Sequence, residues 1–183
     1  MAERVGLGIA NAEAEAAVRA FAEGLQAGLD SRDADQLNRQ FASDVIWGSP
    51  FGALIDGYEQ LHPIRVRFQQ QRAKGPRHRY IVEHILAVNE DVVIAHIAKV
   101  ALSSSGAPVP PSSNPDEPFS EMAMYGLVRR DGGWWLAAGQ HTPMRPGGEV
   151  PARVPMSCCS EVRRSSNGRA TAPPRCEQQA QLE

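Results

Sequence analysis

The stretch from Phe119 to Thr142, FSEMAMYGLVRRDGGWWLAAGQHT, decides the fold. Two β-favouring runs flank Arg129-Arg130-Asp131-Gly132-Gly133, and Asp-Gly between such runs is a strong hairpin signal. Trp134 and Trp135 stand back to back on the second run. Successive side chains on a strand point to opposite faces, so one tryptophan faces the interior and the other the far side. Both faces of the hairpin are therefore expected to be covered, one by a core or pocket and the other by a partner or helix.

Upstream of the hairpin, the chain reads as helices followed by strands. Val18, Phe21, Leu25 and Leu29 give residues 12–30 one apolar helical face. Asp33 is placed to cap a short second helix, with Gln36 at the capping-box position. Asp44 to Pro50 reads as a strand with Val45, Trp47 and Ser49 on one face. Asp56 is then read as the cap of a third helix whose apolar face is Leu61, Ile64 and Phe68. Pro63 is expected to bend or split that helix, because proline removes a backbone donor. Residues 79–88 and 92–102 alternate as strands. In the first, Tyr80, Val82, His84 and Leu86 oppose Ile81, Glu83, Ile85 and Ala87. Residues 103–118 form a long Pro/Ser-rich loop, a kind often functional or mobile. The order predicts an α+β domain: a cone-shaped curved antiparallel sheet wrapped on about three N-terminal helices. Such a sheet leaves a cavity, the usual place for a ligand.

Composition narrows the function. The 183 residues carry a net charge of −2, which recruits neither nucleic acid nor an anionic membrane. No apolar run approaches the roughly 18 residues of a bilayer span, and the N-terminus lacks the pattern of a secretory signal. The three cysteines, Cys158, Cys159 and Cys176, make neither a disulfide framework nor a zinc site. A cytoplasmic protein is the simplest reading. Domain boundaries are expected at 1–11 (flexible), 12–143 (folded domain) and 144–183, a Pro/Gly/Ser/Arg-rich tail without aromatic residues that is expected to stay disordered.

The strings Trp47-Gly48-Ser49-Pro50-Phe51-Gly52, Phe119-Ser120-Glu121-Met122, the hairpin from Arg129 to Gln140 and Thr142-Pro143 resemble the SnoaL-like, or nuclear-transport-factor-two-like, superfamily. More narrowly they resemble its SgcJ/EcaC branch, over about residues 13–143. The resemblance implies a small hydrophobic, polyketide-like ligand and bacterial natural-product metabolism, and the two-faced hairpin adds the expectation of a homodimer through the outer sheet face. The superfamily spans ketosteroid isomerases, cyclases, dehydratases and non-catalytic modules, so fold alone does not fix activity. The branch is often labelled oxidoreductase. No dinucleotide fingerprint or metal-ligand cluster in the chain supports that label, and no cofactor or metal is expected.

Ketosteroid isomerases use a carboxylate base and an oxyanion hole of a Tyr and a protonated Asp. Laid on that pattern, Ser49 falls at the base position and Leu25 near the oxyanion Tyr, so that chemistry is disfavoured. Ser49 is instead a candidate hydrogen-bond partner of a ligand carbonyl, or a turn serine satisfied by backbone. Glu121 is the leading candidate acid or base, because its apolar neighbours would raise its pKa if buried; an exposed strand-end Glu is the plainer alternative. His96 is a second catalytic candidate, or a core or interface histidine that pairs with His84. Trp47, Tyr125 and Trp134 or Trp135 could wall a flat ligand or simply pack a core. Gln140 and His141 close the last strand as candidate ligand contacts. Arg65, Arg67, Arg72, Lys74 and Arg77 read as a solvated basic face. The rival to an enzyme of the cyclase or isomerase kind is a non-catalytic ligand-binding accessory or dimerisation module.

Overall fold

The computed structural model describes residues 4–71, 77–112, 114 and 117–146. The expected tail therefore lies outside the described residues beyond 146, as do residues 1–3. Helix α1 (Ala12–Ser31) starts where the Asn11 side chain accepts the Ala14 N–H and ends at Arg32, which adopts a left-handed φ of 58°. Ala14, Val18, Phe21, Ala22 and Leu25 form its buried face, the stripe that the apolar spacing predicts. Helix α2 (Ala34–Leu37) is capped by the Asp33 carboxylate, which accepts the N–H groups of Asp35 and Gln36. Gln36 does not complete the capping box; its amide oxygen accepts a hydrogen bond from Ser31 Oγ at 2.8 Å.

Helices α1 and α2 meet at Gly28. A Cβ there would lie 2.3 Å from the backbone nitrogen of Leu37, so any side chain must push one helix off the other. Gly28→Ala is expected to destabilise the domain by about 2–3 kcal/mol, the upper range for overpacking, despite Ala's better helix propensity. Urea denaturation checks this, and an unchanged midpoint would contradict the close approach.

The remaining elements are β1 (Phe41–Gly48), β2 (Leu54–Asp56), α3 (Tyr58–Gln71), β3 (Arg77–Ala87), β4 (Val92–Leu102), β5 (Glu121–Arg130) and β6 (Gly133–Pro143). They build a curled six-stranded sheet in the order β2-β1-β6-β5-β4-β3. The fold is α+β as predicted, but the sheet is mixed: β1 runs parallel to β6. A parallel neighbour needs a long crossover, and the whole segment from β2 to β5 supplies it. The β5–β6 turn is a two-residue one, with positive φ at Asp131 (53°) and Gly132 (74°), the primed geometry that Asp-Gly favours.

Two bulges change which side chains face inward. The β3–β4 register passes from Val82↔Ile97 to His84↔His96, which leaves Glu83 as the extra residue. Before it, Tyr80 and Val82 pack on the core; after it, Ile85 and Ala87 do. The expected alternation of Tyr80, Val82, His84 and Leu86 is thus corrected, because one extra residue reverses strand parity. In β6 the pairing jumps from Gly126↔Ala138 to Leu127↔Leu136 around Ala137. Trp134 and Leu136 therefore share the inner face with Gly139 and His141. Trp135 lies on the outer face, 40% exposed, with its indole N–H on the Arg130 carbonyl at 3.2 Å.

Helix α3 also departs from expectation. It runs as one element through Pro63; the carbonyl to which proline cannot donate belongs to exposed Glu59. Its buried residues are Leu61 and Gln69, and half-buried Arg65 stands between them. Phe68, predicted to face inward, is 54% exposed. The inner stripe is thus 61–65–69 rather than 61–64–68. Gly57, not Asp56, accepts the first-turn bond, from the Leu61 N–H at 3.2 Å. Strand β3 is an edge, and α1 covers part of it: the Gln26 amide donates to the His78 carbonyl at 3.2 Å and accepts the Tyr80 N–H at 2.8 Å. A side-chain amide thereby takes the pairing groups that an edge strand would offer another chain. Among the described residues no helix is long and apolar enough to cross a membrane.

Candidate functional site

The inner faces of β4, β5 and β6 bring three polar side chains together. Lys99 and Glu121 are directly opposed across β4 and β5, and Lys99 Nζ lies 2.6 Å from Glu121 Oε1. His141 is opposite Ala123 on the other side of β5, so its ring reaches diagonally to Glu121: Nδ1 is 2.7 Å from Oε2. Two residues along β5, the Tyr125 hydroxyl lies 3.2 Å from His141 Nε2. The result is one chain of contacts, Lys99–Glu121–His141–Tyr125.

Aromatic packing holds that chain in place. Trp47 on β1 sits against the His141 ring at 4.3 Å between centroids and 6.1 Å from Tyr125. Gly139 permits the approach, since a Cβ there would be 3.1 Å from the Tyr125 ring and 3.2 Å from that of Trp47. From α3, Arg65 lays its guanidinium over Trp47 at 4.2 Å. Arg65 therefore does not belong to a solvated basic face.

The electrostatics follow from burial and these partners. Burial alone would raise the Glu121 carboxyl, but the His141 hydrogen bond and the Lys99 ammonium overturn it and hold Glu121 below the usual carboxylate range. Burial also disfavours charge on His141 and outweighs the pull of Glu121, so its pKa lies below the ordinary 6.5. An ionised carboxylate 2.7 Å from Nδ1 requires the proton on that nitrogen. Nε2 is then a bare acceptor and takes the Tyr125 O–H. Burial pushes the Tyr125 phenol well above 10.0, so it stays a donor. A carboxylate-oriented neutral imidazole of this kind can accept a proton from a bound molecule.

The sequence-predicted residues divide into those the fold gathers and those it does not. Glu121, Tyr125, His141 and Trp47 come together, all buried. Trp134 shares the inner face but pairs with Arg129 near the hairpin turn, at the far end of β5 from Glu121. His96 is on the outer face, exposed and opposite His84; it and Glu121 lie on opposite sides of the sheet and do not form one site. Gln140 is also outward and exposed, its amide donating to the His141 carbonyl at 3.1 Å. Ser49 Oγ accepts the Phe51 and Ala53 N–H groups at 3.2 and 3.0 Å, the turn-serine alternative. Lys99 and Arg65 were missed. Lys99 shares parity with Val93, Ala95 and Ile97, and a lysine among buried strand positions was the available signal. Arg65 follows Leu61 by four residues, but Ile64 concealed the true stripe.

A groove of about 720 Å³ runs past Phe41, Tyr58 and Trp135, and one of about 610 Å³ past Arg19, Gln26 and Tyr80. Neither is lined by Glu121, Tyr125 or His141. On the concave side, Phe21, Phe41, Trp47 and Tyr125 pack ring on ring, with centroids 5.3 to 6.2 Å apart. Among the described residues, no group of three or more His, Cys, Asp or Glu side chains is placed to hold a metal ion.

No protein-family profile and no curated protein sequence matches the chain. Solved structures do. A domain of unknown function with a cystatin-like fold from Nostoc punctiforme superposes with a TM-score of 0.62 at 15% identity, over 74% of this chain and 80% of that one. An NTF2-like protein of unknown function from Pseudomonas putida gives 0.56 at 14% identity, over 72% and 87%. A ketosteroid isomerase-like protein from Erwinia carotovora atroseptica gives 0.55 at 13% identity, over 74% and 100%. At such identities the likeness shows the cone fold shared by NTF2-like and cystatin-like domains.

Proposed function

We propose that this chain binds a small, largely apolar molecule, polyketide-like in class, where β4, β5 and β6 bring Lys99, Glu121 and His141 together, and performs acid–base chemistry on it. The observation that carries this reading is the buried Glu121–His141–Tyr125 chain. A structural core has little use for a neutral imidazole with its tautomer fixed by a buried carboxylate. Buried polar networks with displaced pKa values concentrate at functional sites. In this reading Glu121 orients and His141 transfers the proton, with the Tyr125 hydroxyl yielding Nε2 to the substrate. The chemistry that suits such a base is removal of a proton beside a carbonyl, as in isomerisation or aldol-type cyclisation.

The test is exchange of solvent deuterium into the α-carbon of a cyclic aromatic ketone, 1-tetralone, followed by proton NMR. The expected result is protein-dependent exchange that falls at least about 100-fold in His141→Asn, the low end for loss of a general base. His96→Asn, altered on the outer face, is expected to exchange at the wild-type rate. Equal rates for His141→Asn and wild type would overturn the assignment.

A second reading is a non-catalytic ligand-binding or dimerisation module. The aromatic filling of the concave side favours it, as does the apolar outer face, where Ile46, Met124 and Trp135 are 51, 49 and 40% exposed. Wild-type protein without any exchange would select this reading. The outer face also suits a homodimer, and light scattering reads that state directly.

A further inference from the structure

Arg65 is the one residue of this region whose chemistry the acid–base chain does not use. It leaves α3 between buried Leu61 and buried Gln69 and places its guanidinium carbon 4.2 Å from the Trp47 ring centre and 5.6 Å from that of Phe41. Ring contacts engage the flat face of a guanidinium. They leave its in-plane N–H groups unused. Two of those groups, Nε and Nη2, are buried and have no hydrogen-bond partner among the described residues. A buried ionic donor without an acceptor is costly, and such a group calls for an explanation in what it binds.

The neighbouring groups do not supply the acceptor. The carboxylate oxygens of Glu121 are engaged, Oε1 by Lys99 and Oε2 by His141. The charge of Arg65 reaches His141 and Tyr125, disfavouring protonation of the first and favouring ionisation of the second. Among the described residues, Glu121 is already paired with Lys99, which leaves the charge of Arg65 without a facing anion. An added negative oxygen would balance it. Nε and Nη2 form the edge of a guanidinium that takes two oxygens, or one oxygen twice, in a single plane.

We propose that Arg65 is the binding residue for a negative oxygen of the ligand. This rests on the acid–base reading of the same site and names its ligand class: an aromatic or polyene molecule that carries a carboxylate, or a carbonyl that becomes an enolate. In the second case the proton balance is complete within the site. The Tyr125 hydroxyl turns off His141 Nε2, the freed Nε2 takes the proton from the carbon beside the carbonyl, the C–H electron pair moves into the enolate, and its oxygen gains the charge that Arg65 holds. The imidazolium then returns the proton to another carbon, and nothing is oxidised or reduced.

The test is titration calorimetry with 2-naphthoate and with 2-naphthamide, which share a ring system but differ in charge. Wild-type protein is expected to bind the carboxylate at least tenfold more tightly than the amide. Arg65→Met is expected to abolish that preference, and Arg65→Lys to recover part of it, since the charge returns without the two-pronged donor edge. Circular dichroism of each variant confirms that the fold persists, which removal of an unpaired buried charge does not threaten. Equal binding of both probes, no binding of either, or a preference that survives Arg65→Met would overturn the proposal. A preference lost in Lys99→Met but kept in Arg65→Met would move the anion to Lys99 and equally overturn it. Ketone exchange without naphthoate binding would remove this inference and leave the acid–base reading standing; naphthoate preference without ketone exchange would do the reverse.

Discussion

Glu121→Gln is expected to destabilise the domain by about 3 kcal/mol at neutral pH. Removing one partner of a buried ion pair costs about 3–5 kcal/mol, because the other charge stays behind. The low end applies because the Lys99 side chain keeps 16% of its exposure. The same change takes the charged acceptor from His141 Nδ1. The double variant Lys99→Met/Glu121→Leu is expected to recover only part of the loss, since apolar replacement of a buried ion pair is often neutral but still leaves the buried His141 Nδ1–H without its acceptor. Urea denaturation of the three proteins decides the matter; equal midpoints for wild type and Glu121→Gln would mean that the pair contributes nothing. The pH dependence has two parts of opposite origin. Glu121 ionises more readily folded than unfolded, so its contribution is present above about 4.5 and fades only as pH falls through its lowered folded value. His141 has a folded pKa below 6.5, so below about 6.5 the unfolded chain takes up a proton that the native state refuses. Stability is therefore expected to decline between pH 7.5 and 5.5 through His141, while the Glu121 contribution is still intact.

Trp47→Ala should be comparably damaging, at about 4 kcal/mol, within the range for deleting a buried aromatic ring. Trp47 is 5% exposed and supports four groups at once: Phe41, Tyr125, His141 and Arg65. Its loss leaves Arg65 without its closer ring and His141 without the tilted ring packed against it. The comparison that gives this number meaning is Trp135→Ala. That ring lies on the outer face, 40% exposed, and its removal is expected to cost about 1 kcal/mol or less, for the lost indole hydrogen bond and partial burial. Chemical denaturation with near-ultraviolet circular dichroism reads both. Similar losses for the two variants would mean that the inner and outer assignments are wrong.

Much of the architecture could be read from local pattern. The α1 stripe, the Asp33 cap, the Asp131-Gly132 turn and the order of helices before strands all rest on short-range preferences that the tertiary fold respects. Strand parity was legible only as far as each strand stayed regular. Glu121, Ala123, Tyr125 and Leu127 form one alternating set on β5, and all four are buried. On β3 and β6 the extra residues Glu83 and Ala137 reverse the faces, and no composition signal announces a bulge at either position. Helix α3 misled for a different reason. Its inward residues, Arg65 and Gln69, are polar, and they face inward because the guanidinium can lie on Trp47 and Phe41 while the Gln69 amide reaches the Gly28 carbonyl at 3.4 Å. Hydrophobic periodicity cannot find a stripe that is not hydrophobic. Lys99 stayed unseen because its partner is fixed by register across β4 and β5, which a single sequence does not state. Ser49 shows the converse: its type fitted a ligand contact, and its hydroxyl is taken by the Phe51 and Ala53 amides.

The claim on which the functional account turns is that His141 is neutral, protonated on Nδ1 by virtue of Glu121, and bare on Nε2. Nitrogen-15 NMR of the imidazole rings between pH 5 and 8 measures this directly, with assignment from the His141→Asn variant among the five histidines. The expected result is a His141 ring with a protonated Nδ1 and a hydrogen-bonded, unprotonated Nε2 at pH 7, titrating below 6.5. A His141 ring that is doubly protonated at pH 7, or whose proton sits on Nε2, would contradict it.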